Sequence, residues 1–172
     1  MMDETIVTDA AQVSLLLGYF KQHLRLTSND ADVDLGQHLK SALRSVGHDV
    51  NRVLTTSTVT STGRVSSMQG VVALTLRGPV RDVRSVTVNG IALVKDEGYT
   101  LTGNALTIKG DYEDALVEVV YVAGYQTMPE DMWQAVCLRA AGSYANPLDS
   151  VQERQRASDT LIRPYRYRNW QS

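Results

Sequence analysis

The stretch that most restricts the fold lies at residues 115–144, where a strand, a tight corner and a helix follow one another. Its first part alternates in side-chain character and is rich in β-branched and aromatic residues, which predicts a half-buried strand. Gly124 breaks that strand, because glycine reaches backbone angles that are closed to other residues. Thr127 and Glu130 stand at the spacing of a capping box, so we expect a helix here with Pro129 in its first turn.

The predicted helix carries its apolar residues on one stripe and should bury that stripe against the core. Asn146-Pro147 is expected to end it, because the residue before a proline is pushed out of the helical region. The stripe consists of Trp133, Val136, Cys137, Ala140, Ala141 and Tyr144.

The front of the chain predicts a hairpin of two amphipathic helices after a loose start at residues 1–8. Asp9 can cap the first helix, and a polar turn at residues 25–32 separates it from the second. The apolar positions are Val13, Leu16, Leu17, Phe20 and Leu24 in the first helix, and Leu35, Leu39, Leu43, Val46, Val50 and Val53 in the second.

The middle of the chain predicts short strands, mostly antiparallel, joined by turns. Residues 55–62 are mostly Thr, Ser and Val, and a turn at Thr62-Gly63 would return the chain through residues 65–68. Asn89-Gly90 is a strong hairpin signal, and Gly103-Asn104 predicts a further turn. The other predicted strands are 72–76, 83–88, 91–94, 99–101 and 106–108.

The end of the chain differs from the rest in charge and composition. Residues 149–172 carry five Arg against three acidic residues, which leaves the remainder at −4 in a chain of net charge −2. Its first part predicts a short polar helix, weakly attached to the core. The part that follows interleaves Arg with aromatic residues, a composition typical of protein interfaces and of surfaces that stack on nucleic acid. An arm folded back on its own domain, or a disordered tail, is the remaining alternative. The candidate contact residues are Arg163, Tyr165, Arg166, Tyr167, Arg168 and Trp170.

No arrangement of residues predicts catalysis, a cofactor or a metal ion. The three aspartates of residues 30–34 resemble the start of a calcium loop, but Leu35 and Ser41 occupy the positions that need Gly and Glu. The three histidines are far apart, and Cys137 lies on an apolar stripe, which predicts a buried small hydrophobe. The single cysteine is compatible with a reducing cytoplasm, and we expect no membrane partner.

A set of residues at the corner resembles the head–tail connector (adaptor) family of tailed bacteriophages, which is also found in gene transfer agents. In that family a strand ends in Tyr-x-Ala-Gly-Tyr, a Pro follows, and a helix ends near Tyr-x-Asn. The Thr-rich hairpin predicted at residues 54–68 has no counterpart in that pattern. The matching residues are Tyr121, Ala123, Gly124, Tyr125, Pro129, Tyr144 and Asn146.

The resemblance implies an α+β fold, in which a bundle of about four helices carries an inserted antiparallel β-rich subdomain. Residues 1–53 would be the helical hairpin, 54–126 the β-subdomain, 127–148 the core helix, and 149–172 the last helix and the basic aromatic arm. It further implies a ring, usually a dodecamer, under the portal of a virion, assembled in the host cytoplasm. Such a ring extends the channel for double-stranded DNA and binds a stopper, neck or tail-completion protein, while the arm docks on the portal protein.

Two other functions remain open from the residues alone. A nucleic-acid-binding module would use the same Arg- and Tyr-rich arm, and its affinity for DNA would fall steeply with salt. An enzyme acting on a small substrate has no motif to support it, so we expect a structural protein instead.

Overall fold

The computed structural model describes residues 2–145 and 148–166, and the chain divides into two compact units. The β unit comprises Met1–Asp9 and Thr55–Tyr125, and the helical unit comprises Ala10–Leu54 and Gln126–Ser172. The chain therefore enters the helical unit, leaves it for most of the β unit, and then returns. This confirms the predicted α+β fold, with helices that flank an antiparallel β-rich insertion.

The described residues form four α-helices, one 3-10 turn and eight strands. The helices are α1 (Ala10–Leu24), α2 (Asp32–Asp49), α3 (Glu130–Ala145) and α4 (Leu148–Ile162), and the 3-10 turn is Arg163–Tyr165. The strands are β1 (Asp3–Thr8), β2 (Ser57–Val65), β3 (Val71–Thr75), β4 (Val80–Val88), β5 (Ile91–Ala92), β6 (Tyr99–Thr102), β7 (Ala105–Lys109) and β8 (Ala115–Ala123).

The β unit contains a five-stranded sheet in the order β1-β2-β8-β4-β5 and a three-stranded sheet in the order β3-β7-β6, both antiparallel. The central strand β8 follows the predicted alternation, with Val117, Val119 and Tyr121 fully buried on one face. The predicted hairpin between β4 and β5 is also present. Asn89 and Gly90 adopt φ angles of 50° and 79°, the left-handed pair that a two-residue hairpin requires.

Two predictions for the strands are wrong. The expected loose start is β1, which pairs antiparallel with β2 from Asp3 opposite Thr62 to Thr8 opposite Ser57. The expected turn at Thr62-Gly63 is absent, because β2 runs on to Val65 and Gly63 lies opposite Val117 of β8. With β1 on one side and β8 on the other, β2 has strand partners along both edges and needs no returning strand.

The helical unit buries the predicted stripe of α2 and part of that of α1. In α1, Leu16 and Phe20 are buried, whereas Val13, Leu17 and Leu24 are half-buried. The α2 stripe is buried along its whole length, and Val50 and Val53 remain buried although the helix itself ends at Asp49.

Helix α3 buries the middle of the predicted stripe together with Met132 and Ala135, which are inaccessible to solvent. The two ends of the predicted stripe are not in the core, because Trp133 is half-buried and Tyr144 is 37% exposed.

The predicted start of helix α3 is wrong. The helix begins at Glu130, and the Trp133 N–H donates to the Pro129 carbonyl at 3.0 Å, so Thr127 is not the N-cap. The cause is Pro129 itself, since a proline disfavours helical angles at the residue before it. The predicted end at Asn146-Pro147 lies outside the described residues.

The predicted weak attachment of the last helix is also wrong. Ser158 and Ile162 of α4 are fully buried, and the Arg154 Nη1 donates to the Ala141 carbonyl of α3 at 3.0 Å. The sparse apolar residues of α4 are therefore enough to hold it, because polar contacts supplement them.

Candidate partner-binding segment

The predicted contact residues begin where α4 ends, in the helical unit. Arg163 opens the 3-10 turn and is exposed, Tyr165 is half-buried, and Arg166 is exposed. The chain leaves this turn in an extended conformation, with φ −61° and ψ 121° at Arg166. The other three predicted contact residues, Tyr167, Arg168 and Trp170, lie outside the described residues.

Contacts at the surface connect the start of this segment to the helical unit. The Tyr165 hydroxyl donates to Oδ2 of Asp131 at 3.5 Å, and the Arg166 guanidinium lies 3.3 Å from Oδ1 of Asp159. Both contacts are at the surface, where an ion pair contributes about 0–1 kcal/mol. A partner could therefore displace them at small cost.

A buried arginine on α3 connects the helices on which this segment rests. The Arg139 side chain is only 4% exposed, and its guanidinium donates to Ser45 and Asp49 of α2 at 2.6 Å each. On the other side it donates to Ser158 at 2.9 Å and to Asp159 at 2.7 Å, both on α4. Its donors thus join three helices, and Asp159 also accepts the contact from Arg166.

Arg139 was not among the residues predicted to matter, although the sequence carries a signal for it. It is the one charged residue in the otherwise apolar or small run of residues 135–142. A charged residue placed among buried positions of a helix needs a partner, since burying an unpaired charge is costly.

The helical unit also contains an apolar pocket of about 370 Å³. Most of its wall is apolar surface, three of its seven lining residues are leucines, and the charged Arg154 also lines it. Such a lining suits an apolar side chain better than a reaction. The lining residues are His23, Leu24, Leu26, Leu138, Ala141, Tyr144 and Arg154.

The residues that were weighed for catalysis or metal binding are buried or make contacts within the fold. Cys137 is buried as predicted, and burial together with the negative charge of Glu130 raises the pKa of its thiol to about 12. Asp32 forms an ion pair with Lys21 at 2.6 Å, and Asp30 accepts from the Ser28 hydroxyl at 2.5 Å. Within residues 2–145 and 148–166, no group of three or more His, Cys, Asp or Glu side chains is placed to hold a metal ion.

The β unit buries a second titratable group, Tyr121 of β8. Its hydroxyl accepts from the Arg77 N–H at 3.2 Å, and Arg77 forms an ion pair of 3.6 Å with Glu4 of β1. Burial first, and then the charge of Glu4, raise the pKa of the Tyr121 phenol to about 12, although the contacts with Arg77 act in the opposite direction.

Among the described helices, none combines the length and the apolar character needed to cross a membrane.

Comparison with solved structures finds the same fold in chains of gene transfer agent (GTA) particles. A chain of the neck of an empty GTA particle, computed with C6 symmetry, is 20% identical with a TM-score of 0.71. A chain of the virion of a native GTA particle is 22% identical with a TM-score of 0.73. A chain of the neck of a native GTA particle, computed with C12 symmetry, is 20% identical with a TM-score of 0.71.

This chain shares its fold with proteins of gene transfer agent particles. Each of the three alignments covers 100% of this chain and 98% of the GTA chain, so both units take part. The predicted resemblance to the connector family is thereby confirmed for the fold. No protein-family model matches the sequence, and no curated protein matches it.

Proposed function

We propose that this protein is a structural component of a particle neck, a head–tail adaptor that forms a ring under the portal. The observation that carries this proposal is the similarity in fold, over the whole chain, to chains of GTA necks. One of those necks was computed with C12 symmetry, which favours twelve copies in the ring. A role in such a particle places the protein in the virion, after assembly in the host cytoplasm.

In this role the ring extends the DNA channel and is the platform for a stopper, neck or tail-completion protein. The net charge of the chain is −2, and a mildly acidic ring lets double-stranded DNA pass without strong binding. The role is structural and requires no catalytic group, cofactor or metal ion.

The basic aromatic segment at the end of the chain is the proposed contact with the portal protein. Arg163 and Arg166 are exposed, and the surface contacts of Tyr165 and Arg166 are weak enough to be exchanged for contacts with a partner. A weak contact repeated in every copy of a ring binds firmly, because the copies act together. The proposed residues are Arg163, Tyr165, Arg166, Tyr167, Arg168 and Trp170.

The test mixes the protein with DNA-filled, portal-containing heads and images the mixture by electron microscopy. Full-length protein should form a ring at one vertex. A variant that ends at Ile162 should remain folded, because Ile162 is the last buried residue described, yet should no longer attach to heads. Arg156→Glu, an exposed change on α4, is the matched control and should attach normally.

Two outcomes would contradict different parts of the proposal. If the truncated protein attaches with unchanged affinity, the segment is not the portal contact. If the full-length protein ignores heads, the neck role fails. DNA binding that weakens steeply with salt would then favour the alternative, a nucleic-acid-binding module.

A further inference from the structure

A tight hairpin of the β unit, between β2 and β3, has an apolar tip. Met68 and Val71 exchange both of their backbone hydrogen bonds, at 2.9 and 3.2 Å, around a two-residue turn. The turn residues Gln69 and Gly70 have φ angles of 57° and 76°, the positive pair that a type I′ turn requires. Because Met68 and Val71 are directly opposite each other, their side chains lie on the same face of this hairpin tip.

The hairpin tip is exposed and is held in place by its neighbours. Among the large apolar residues that the structure describes, Met68 is the most exposed, at 81%. The Ser67 N–H donates to the Tyr112 carbonyl at 2.7 Å, and the Gly110 N–H donates to the Gly70 carbonyl at 2.9 Å. The adjacent segment therefore braces the hairpin, so that a partner can bind Met68 without having to order a loop.

The hairpin tip is also uncharged. Residues 65–76 contain no charged side chain. The acidic Asp111 lies beside Gly70, but it is exposed and can stay hydrated at the rim of a contact. Burial of the hairpin tip would therefore remove apolar surface from water without desolvating a charge.

The apolar pocket of the helical unit suits such a tip. Its volume of about 370 Å³ is more than twice the roughly 150 Å³ of a cavity that holds benzene, so an apolar side chain fits. Two of its lining residues, Leu26 and Tyr144, are 36% and 37% exposed, so the pocket opens to solvent beside them. A methionine suits this wall, because its thioether is flexible and makes favourable contacts with an aromatic ring such as that of Tyr144.

We propose that the hairpin tip of one copy docks in the apolar pocket of the next copy, with Met68 as the inserted side chain. The occupant of the pocket is therefore a second copy of this chain. An apolar projection and an apolar pocket are different surfaces, so the contact is head-to-tail, and repeated by rotation it closes a ring. The inference rests on the proposed ring and specifies the contact that joins its copies.

The small size of the hairpin tip has a consequence for assembly. A contact made by one tight turn buries far less than the roughly 1,200 Å² of a stable interface, so two copies alone should not remain together. Copies that are already held on the portal gain from many such contacts at once. We therefore expect a monomer in solution and a ring on heads, which light scattering and electron microscopy distinguish.

The first test introduces cysteines at Met68 and Leu26 and oxidises rings assembled on heads. The double variant Met68→Cys/Leu26→Cys should give covalent species larger than a dimer. A mixture of the two single variants should give dimers that contain one copy of each, and neither single variant should cross-link alone. The native Cys137 is buried and should not interfere.

A second test removes the apolar side chain and keeps the turn. Met68→Ser should leave the circular dichroism spectrum and the melting temperature unchanged but reduce ring formation on heads by about tenfold or more, because it truncates a side chain anchored in a pocket. Ile91→Ser is the matched control, since Ile91 is also exposed beside a two-residue turn of the β unit, and it should assemble normally. An equal loss in both variants would contradict a specific role of the hairpin tip.

A third test identifies the occupant of the pocket directly. A photoreactive group attached at Leu26→Cys, at the exposed side of the pocket, is activated in rings on heads. It should label the peptide that contains Met68 of another copy. A label in the portal protein, or in residues 163–172, would assign the pocket to that partner and overturn the inference.

The outcomes separate the inference from the function beneath it. Rings that form on heads but show neither the Met68–Leu26 cross-link nor the label would overturn the inference and leave the neck role intact. A protein that forms no ring on heads overturns the neck role and this contact together.

Discussion

At the residue scale, Arg139 shows how a buried charge can organise helices. Its guanidinium has donors on several sides, and it contacts two carboxylates and two hydroxyls on the flanking helices α2 and α4. The carboxylates of Asp49 and Asp159 are 32% and 38% exposed, so water partly hydrates them while the arginine itself is dry. The desolvation penalty therefore falls mostly on the Arg139 guanidinium, and the hydrogen bonds to its partners offset that penalty.

We expect Arg139→Met to destabilise the protein by about 3 kcal/mol, the lower end for breaking a buried ion pair, because the abandoned carboxylates remain partly hydrated. Urea denaturation of the purified protein measures this loss. Arg156→Met, at an exposed position of α4, is the matched control and should change stability by less than about 0.5 kcal/mol. Equal stabilities of the two variants would mean that the Arg139 contacts contribute nothing net.

At the element scale, the corner after β8 depends on Gly124. Its φ is +110°, and a Cβ built there would lie within 2.4 Å of both the carbonyl carbon and oxygen of Thr55. Its N–H donates to the Pro79 carbonyl at 2.9 Å. The corner is thus enclosed by backbone from two other parts of the β unit.

Gly124→Ala should therefore destabilise the protein by roughly 3 kcal/mol or more, because backbone strain and a backbone clash act together. Gly103→Ala is the comparison, since Gly103 also has a positive φ, +61°, but nothing lies within 4 Å of the added Cβ. That variant should lose only about 1 kcal/mol. Thermal melts of both proteins measure the difference, and similar losses would refute the role of close approach at Gly124.

The elements that the sequence predicts well are those whose signals are local. Strand β8, the Asn89-Gly90 hairpin and the α2 stripe each depend on residue types within a short window. Strand β1 was missed because its strand character depends on pairing with β2, about fifty residues later in the chain. The attachment of α4 was missed for the same reason, since its polar residues are held by Arg139 of another helix.

The candidate segment illustrates the same limit. Alternating Arg and aromatic residues mark it in the sequence, and this pattern suffices to predict that it contacts something. The pattern does not identify the residues that the segment contacts within its own chain. Asp131 and Asp159 lie on α3 and α4 and meet the segment only after folding. Local composition thus predicts that the segment contacts a partner, and tertiary structure determines where the segment is held against the helical unit.

At the scale of the whole molecule, both units contain, among the residues that the structure describes, a buried acidic group with a raised pKa. Cys137 belongs to the helical unit and Tyr121 to the β unit, and the pKa of each is raised to about 12. The unfolded chain releases these protons near the usual pKa values of 9.0 and 10.0, whereas the folded chain retains them to about pH 12. The unfolded state then binds fewer protons, so stability falls as pH rises.

We expect the free energy of unfolding to fall from about pH 9, where the Cys137 thiol is half-ionised in the unfolded state, and more steeply from about pH 10, where the Tyr121 phenol is half-ionised as well. Each group contributes a slope of up to about 1.4 kcal/mol per pH unit. Urea denaturation between pH 8 and pH 11 measures the slope. Cys137→Ala should flatten it from pH 9 and Tyr121→Phe only from pH 10, whatever each substitution does to stability at neutral pH. A slope unchanged in both variants would show that neither buried group couples folding to pH, and the alkaline sensitivity of the two units would then need another cause.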